Sequence, residues 1–270
     1  MKEVLAIALG LMTSGLAAPE GWKLVWSDEF EVDGLPDSKK WGYEEGYVRN
    51  NELQYYTAKR SENARVEKGN LVIEARKDEM ALSSKAKRTQ GKKTAPITSA
   101  SVTTEGTATW TYGRFEIRAK LPVGSGTWPA IWMLGTNMKE VGWPTCGELD
   151  IMEFVGNQPD TIHANVHTRD FNHTKNTGRG GKIKVEHVTK GFHTYAMEWS
   201  KDEIRFFFDD KPYFHLKNDG SGVGSWPFDK PQYLILNLAF GGSWGAAKGV
   251  DESVLPATYL IDYVRVYERK

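Results

Sequence analysis

Apolar and polar side chains alternate with a period of two along most of this chain. Residues 70–75 (NLVIEA), 114–121 (RFEIRAKL) and 203–208 (EIRFFF) show the pattern most clearly. Side chains on a strand point alternately to opposite faces, so such runs predict half-buried strands. Residues 161–168, 193–200, 233–240 and 259–268 read the same way. Asp209-Asp210-Lys211 separates two runs and suits a hairpin turn. No amphipathic stretch is long enough for a three-turn helix. The fold class expected is all-β: a sandwich of two antiparallel sheets. Two polar stretches interrupt the pattern. Residues 77–98 carry Lys77, Lys85, Lys87, Arg88, Lys92 and Lys93 with almost no large apolar side chain, and read as a solvated loop or the edge of a cleft. Residues 169–187 read as a second, Gly-rich loop. No repeat or linker divides the chain, so residues 19–270 read as one domain.

Composition narrows the function. The chain has 270 residues, enough for one large all-β domain. Lys+Arg and Asp+Glu are both 35, so the formal charge is zero. That argues against a nucleic-acid binder and against a polybasic membrane adsorber. A single cysteine, Cys146, excludes an intrachain disulfide and a multi-cysteine zinc site. Lys2 precedes an apolar run from Val4 to about Leu16, then Ala17-Ala18-Pro19. This reads as a signal peptide over residues 1–18, too short to span a bilayer comfortably, and predicts a secreted chain, extracellular or periplasmic. The 10 Trp are a surplus that suits stacking on flat ligands.

The chemistry concentrates in Gly147-Glu148-Leu149-Asp150-Ile151-Met152-Glu153-Phe154, three carboxylates within six residues of a strand-like run. On a regular strand Glu148 and Asp150 share a face and Glu153 takes the other. One extra residue, a β-bulge near Ile151-Met152, returns Glu153 to the first face, and bulges gather beside active sites. Carboxylates held together raise one another's pKa, so one stays protonated while another ionises. Retaining glycoside hydrolysis needs such a pair about 5–5.5 Å apart. Two plainer readings remain: acids facing water, or a carboxylate cation site. Trp128, Trp132 and Trp143 lie just upstream and offer faces for sugar C–H surfaces. Asn50, Asn51, Glu52, Gln54, Asn165, His167 and Asn237 offer hydrogen bonds to sugar hydroxyls.

These residues resemble glycoside hydrolase family 16. Glu148-Leu149-Asp150-Ile151-Met152-Glu153 is similar to the bulged, laminarinase-type signature. Asn50-Asn51-Glu52-Leu53-Gln54-Tyr55-Tyr56-Thr57, Tyr112-Gly113-Arg114-Phe115-Glu116, Trp128-Pro129-Ala130-Ile131-Trp132-Met133 and Leu236-Asn237-Leu238-Ala239 resemble other family segments. The resemblance runs from about residue 22 to 268. It implies a β-jelly-roll with an open concave cleft, and endo-hydrolysis of a β-linked polysaccharide with retention. Glu148 is then the nucleophile, Asp150 its helper and Glu153 the acid/base. Trp128, Trp132 and Trp143 become sugar-stacking residues. Asn50, Arg114, His167 and Asn237 become polar cleft residues. No cofactor is needed for the chemistry. A structural calcium is implied, held by the Asp262 side chain with backbone oxygens near Glu31 and Gly69. One departure stands out: Ser99-Ala100-Ser101 occupies a place where many laminarinase-type members have Ser-Ala-Arg.

The substrate expected is β-1,3-glucan or mixed-linkage β-1,3-1,4-glucan, cleaved by a monomer. Agar, carrageenan or xyloglucan are alternatives within the family. A non-catalytic β-glucan-binding protein is the alternative outside enzymes, against which the intact acids count.

Overall fold

A computed structural model describes residues 18–270; the expected signal peptide therefore lies, but for its last residue, outside the described residues. Two sheets carry the fold, antiparallel but for the parallel pair Tyr55–Tyr56 and Thr94–Ser99. One holds seven strands in the order Arg179–Lys184, Thr161–His167, Glu148–Glu153, Thr127–Gly135, Gln232–Phe240, Ser101–Thr103 and Gly42–Glu44. The other has ten strands and is centred on Gly113–Lys120 and the long Ala257–Arg269 strand. The helices among the described residues are single turns. None is long and apolar enough to cross a membrane.

One core fills the space between the sheets. From the seven-stranded sheet, Ile131, Met133, Leu149, Ala164, Val166, Leu234, Leu236 and Leu238 point inward. Leu71, Ile73, Phe115, Ile117, Phe206 and Tyr259 meet them from the other sheet. Each Leu, Ile, Val, Met or Phe among them contributes about 1.5–3 kcal/mol on burial. The expected hairpin closes with Asp209 and Asp210 at φ 44° and 60° and Phe208 opposite Lys211. This is the mirror-image turn that matches strand twist.

Both polar stretches need correction. Residues 77–98 are not one loop. The Asn70–Ala81 strand runs into them and Thr94–Ser99 leads out, paired through Lys77↔Ile97 and Ala81↔Thr94. At the sheet margin, solvent reaches the strand, so polar side chains suffice there. Residues 169–187 contain the edge strand Arg179–Lys184. Its Gly180-Gly181 removes the side-chain alternation that marks a strand. A Cβ at Gly180 would come within 2.2 Å of Asn165 Oδ1, so the missing side chain is what lets the strand dock.

Arg114 is not a cleft residue. It alternates with the inward Phe115 and Ile117, so it faces outward from the ten-stranded sheet, on the far side from the acids. There it bridges Glu116 at 2.9 Å, Glu198 at 3.0 Å and Asp210 at 3.1 Å, with 7% of its side chain exposed. Arg114→Ala would strand carboxylates around a nearly buried position. It should cost about 3 kcal/mol of stability while leaving kcat intact. A thermal melt beside an activity assay checks this.

At the place the resemblance gives for calcium, one oxygen of Asp262 is already engaged. The Asp262 carboxylate receives a hydrogen bond from Arg118 at 2.6 Å, so its charge is already met by a guanidinium. Glu31 is exposed, and Gly69 sits in the turn between Ala64–Glu67 and Asn70–Ala81 with φ 74°. No catalytic step runs through a metal there.

Candidate active site

Strand register decides where the three acids point. On the Thr127–Gly135 neighbour, Glu148 pairs with Leu134, Asp150 with Trp132 and Glu153 with Ala130. Those partners are two apart and share a face. The pairing slips between Asp150 and Met152, so Ile151 and Met152 both turn into the core. On the other neighbour, Glu148, Asp150 and Glu153 pair with His167, Asn165 and His163. The bulge thus sets all three carboxylates on the outer face of the seven-stranded sheet.

The surroundings are polar and close. Trp143 Nε1 donates to Glu148 Oε2 at 3.0 Å. Trp128 Nε1 donates to Glu153 Oε1 at 3.1 Å, and Asn165 Nδ2 to Glu153 Oε2 at 2.7 Å. His167 Nε2 lies 3.4 Å from Asp150 Oδ2 and 3.7 Å from Glu148 Oε1. Asp150 is 3% exposed, and its Oδ2 has no hydrogen-bond partner. Glu148, Asp150 and His167 bring ligand atoms within 4.8 Å of one another, the one such acid–histidine group among the described residues. They could hold a cation, yet the same closeness suits proton sharing.

Burial raises all three carboxyls, and the neighbouring carboxylates add to this at Glu148 and Asp150. Arg49 and the Trp143 N–H pull Glu148 back down; Asn165 and Trp128 do the same for Glu153. Three buried like charges cannot all ionise near neutral pH, so the cluster holds at least one proton. His167 is pushed down to about 4 by burial and by His173, and is neutral at neutral pH.

The other expected residues gather here too. Trp132 Nε1 donates to Asn237 Oδ1 at 2.8 Å, and Asn237 Nδ2 to the Tyr56 hydroxyl at 3.0 Å. Asn50 donates to Glu52 at 3.3 Å, and Gln54 to Glu52 at 2.7 Å. Trp128 and Trp132 are 9% and 7% exposed, and their indole N–H groups donate to Glu153 and Asn237. Of the residues assigned to the cleft from the sequence, Arg114 is the one the fold carries elsewhere.

Several neighbours carried no motif. Arg49 lies over the Trp132 ring at 4.8 Å and hydrogen-bonds Glu44, whose other oxygen accepts from Ser101 at 2.7 Å. A guanidinium from another segment therefore stands beside the Ser101 position. His173 lies 5.3 Å from Trp143 and 5.1 Å from His167, ring to ring. Trp244 packs edge-on against Trp128 at 5.6 Å and His163 at 4.9 Å. Its signal was the Gly241-Gly242 pair after an apolar strand, both at positive φ, which turns the chain back over the sheet.

Asn165 tunes the proton affinity of Glu153. Its N–H favours the anionic form of Glu153, so Asn165→Leu should let Glu153 keep its proton to higher pH. The alkaline limb of kcat/KM should move upward, and kcat should fall roughly tenfold from lost positioning. A pH–rate profile of the variant checks both.

Paired carboxyls on a bulged strand, framed by indole N–H groups and amides, define a glycosidase site on a two-sheet β-jelly-roll. The family model for glycosyl hydrolases family 16 matches residues 51–265, and the chain belongs to that family. It is 49% identical to a beta-glucanase of Rhodothermus marinus over 91% of this chain and 85% of that one. The solved laminarinase from Rhodothermus marinus superposes with a TM-score of 0.85 at 48% identity, covering 92% of this chain and 98% of that chain. A non-specific endo-β-1,3(4)-glucanase of the same family superposes with a TM-score of 0.86 at 46% identity, covering 94% of each.

Proposed function

We propose that this protein is an endo-acting, retaining glucanase that cleaves β-1,3-glucan and also mixed-linkage β-1,3-1,4-glucan. The observation that carries the reading is the register slip between Asp150 and Met152, which puts Glu148, Asp150 and Glu153 on one face. The likeness to a laminarinase and to a non-specific endo-β-1,3(4)-glucanase supports both linkages.

Glu148 attacks the anomeric carbon, and the C1–O bond to the departing chain breaks. Glu153 gives its proton to that oxygen as it leaves. Glu153, now a carboxylate, takes a proton from water, whose oxygen displaces Glu148 from C1. Two inversions give net retention. Burial and the Glu153 carboxylate push Glu148 up to about 8; Arg49 and the Trp143 N–H oppose them and favour the ionised state a nucleophile needs. Asp150 shares the cluster's proton with Glu148, beside a neutral His167. All groups come from one chain, which acts as a monomer on this reading and needs no cofactor. The basic, apolar and small-residue pattern of residues 1–18 directs export; N-terminal sequencing of the exported chain, beginning at Ala18 or Pro19, checks that part.

Digestion of laminarin, curdlan, lichenan, agar and xyloglucan with product sizing tests the substrate. Short β-1,3-linked oligosaccharides from laminarin, with fragments from lichenan, are expected. Binding of laminarin with no new reducing ends would overturn the reading.

A further inference from the structure

The segment between the Asn70–Ala81 and Thr94–Ser99 strands, residues 82–93, holds Lys85, Lys87, Arg88, Lys92 and Lys93 and no acidic residue. In a chain of zero formal charge this is a marked local excess. Loops of this composition commonly float in solvent; this one is tied down. Leu82 and Ala86 pack on Tyr47, Tyr55 and Ala95. The Tyr47 N–H donates to the Arg88 carbonyl at 3.1 Å, and the Tyr55 hydroxyl to the Lys87 carbonyl at 3.0 Å. Gly46 fits so closely that a Cβ there would sit 2.5 Å from Arg88 Cβ.

The anchors are backbone and apolar groups, which leaves the cationic heads outside. Among the described residues, only Lys87 of the five has a carboxylate within 4 Å, Glu45 at 3.8 Å. Lys92 lies over the Tyr47 ring at 3.9 Å. Lys85, Arg88 and Lys93 are exposed and unpaired. Tyr47 is two residues from Arg49, which lies over Trp132. Glu45 adjoins the Gly42–Glu44 strand at the margin of the catalytic sheet. The basic loop therefore borders the Arg49–Trp132 end of the site.

We propose that this anchored loop is a cationic rim that recognises acidic substituents, carboxylate or sulfate groups, carried on the glucan chain being cut. The inference rests on the glucanase reading and deepens its substrate class. A fixed loop presents its charges without the ordering cost of a free one. Exposed pairs are weak and salt-screened, so the rim biases substrate choice and leaves the chemistry untouched.

The test compares carboxymethylated β-1,3-glucan with neutral laminarin, using the parent and the triple variant Lys85→Gln, Arg88→Gln, Lys93→Gln. These side chains touch none of the catalytic groups. At low salt the parent should exceed the variant roughly tenfold in kcat/KM on the carboxymethylated glucan, three weak charge contacts combined. High salt should erase the difference, and laminarin cleavage should be equal throughout. Equal rates on the carboxymethylated glucan at low salt would overturn the rim. So would an equal loss on laminarin, or heparin competing as strongly as the carboxymethylated glucan, which marks a patch for any polyanion. Failure of the parent on laminarin would instead overturn the glucanase reading, and the rim with it.

Discussion

Glu148→Ala should lower kcat on laminarin by more than about 10⁴-fold, the scale on which a covalent nucleophile acts. The fold should hold, because Glu148 faces outward and its neighbours Leu149 and Ile151 stay in the core. The Trp143 N–H loses its acceptor but lies at the partly exposed face, where water can replace it. Azide makes the role visible. With the carboxylate gone, the small anion can enter from the nucleophile's side and attack C1 directly. The product should be an α-glucosyl azide, one inversion from the β-linked substrate. Near-normal turnover, or a β-azide from this variant, would remove Glu148 from the nucleophile's place.

Glu153→Ala should give the complementary result. Loss of the proton donor should cost about 10²–10⁴-fold on laminarin, whose leaving group is a sugar alkoxide. An aryl glucoside with an acidic phenol leaving group needs little protonation, so its first step should survive. Turnover then stalls at the covalent intermediate for want of a base. Azide needs no base, and displaces Glu148 to give a β-glucosyl azide after two inversions. Opposite anomers from the two variants would assign both roles; the same anomer from both would refute the assignment. Trp128 and Asn165, which hold Glu153 at 3.1 and 2.7 Å, would each lose an acceptor oxygen, so circular dichroism should accompany the assay.

The two-sheet class was readable because inward and outward side chains alternate along strands such as Gly113–Lys120 and Glu203–Phe208. The bulge was readable from spacing alone: three acids at positions 148, 150 and 153 can share a face only with one residue out of step. Where alternation fails, so did legibility. Arg179–Lys184 lies at an edge and carries two glycines, so nothing in its composition signals a strand. Asn70–Ala81 keeps pairing past Arg76 into residues with one face in solvent, which read as loop.

Arg114 shows the other limit. Its alternation with Phe115 and Ile117 told that it faces away from the core, but a sandwich has two outer faces. Only the pairing order put it on the ten-stranded sheet, with Glu198 and Asp210, rather than beside the acids. Arg49 and Trp244 show the reverse: one reaches Trp132 from a loop and the other reaches Trp128 from the single helical turn Gly242–Gly245.

By itself, then, the order of residues determined the local matters: which stretches extend, which turn at Asp209-Asp210, and that an extra residue must kink the acidic strand. These depend on neighbours within a few positions. The tertiary structure alone decided which outer face carries the chemistry and which distant donors meet each carboxylate. It also decided that a basic loop is anchored two residues from Arg49. Those depend on which strands lie side by side, and chain separations as long as that from Trp132 to Asn237 leave no periodic trace in the sequence.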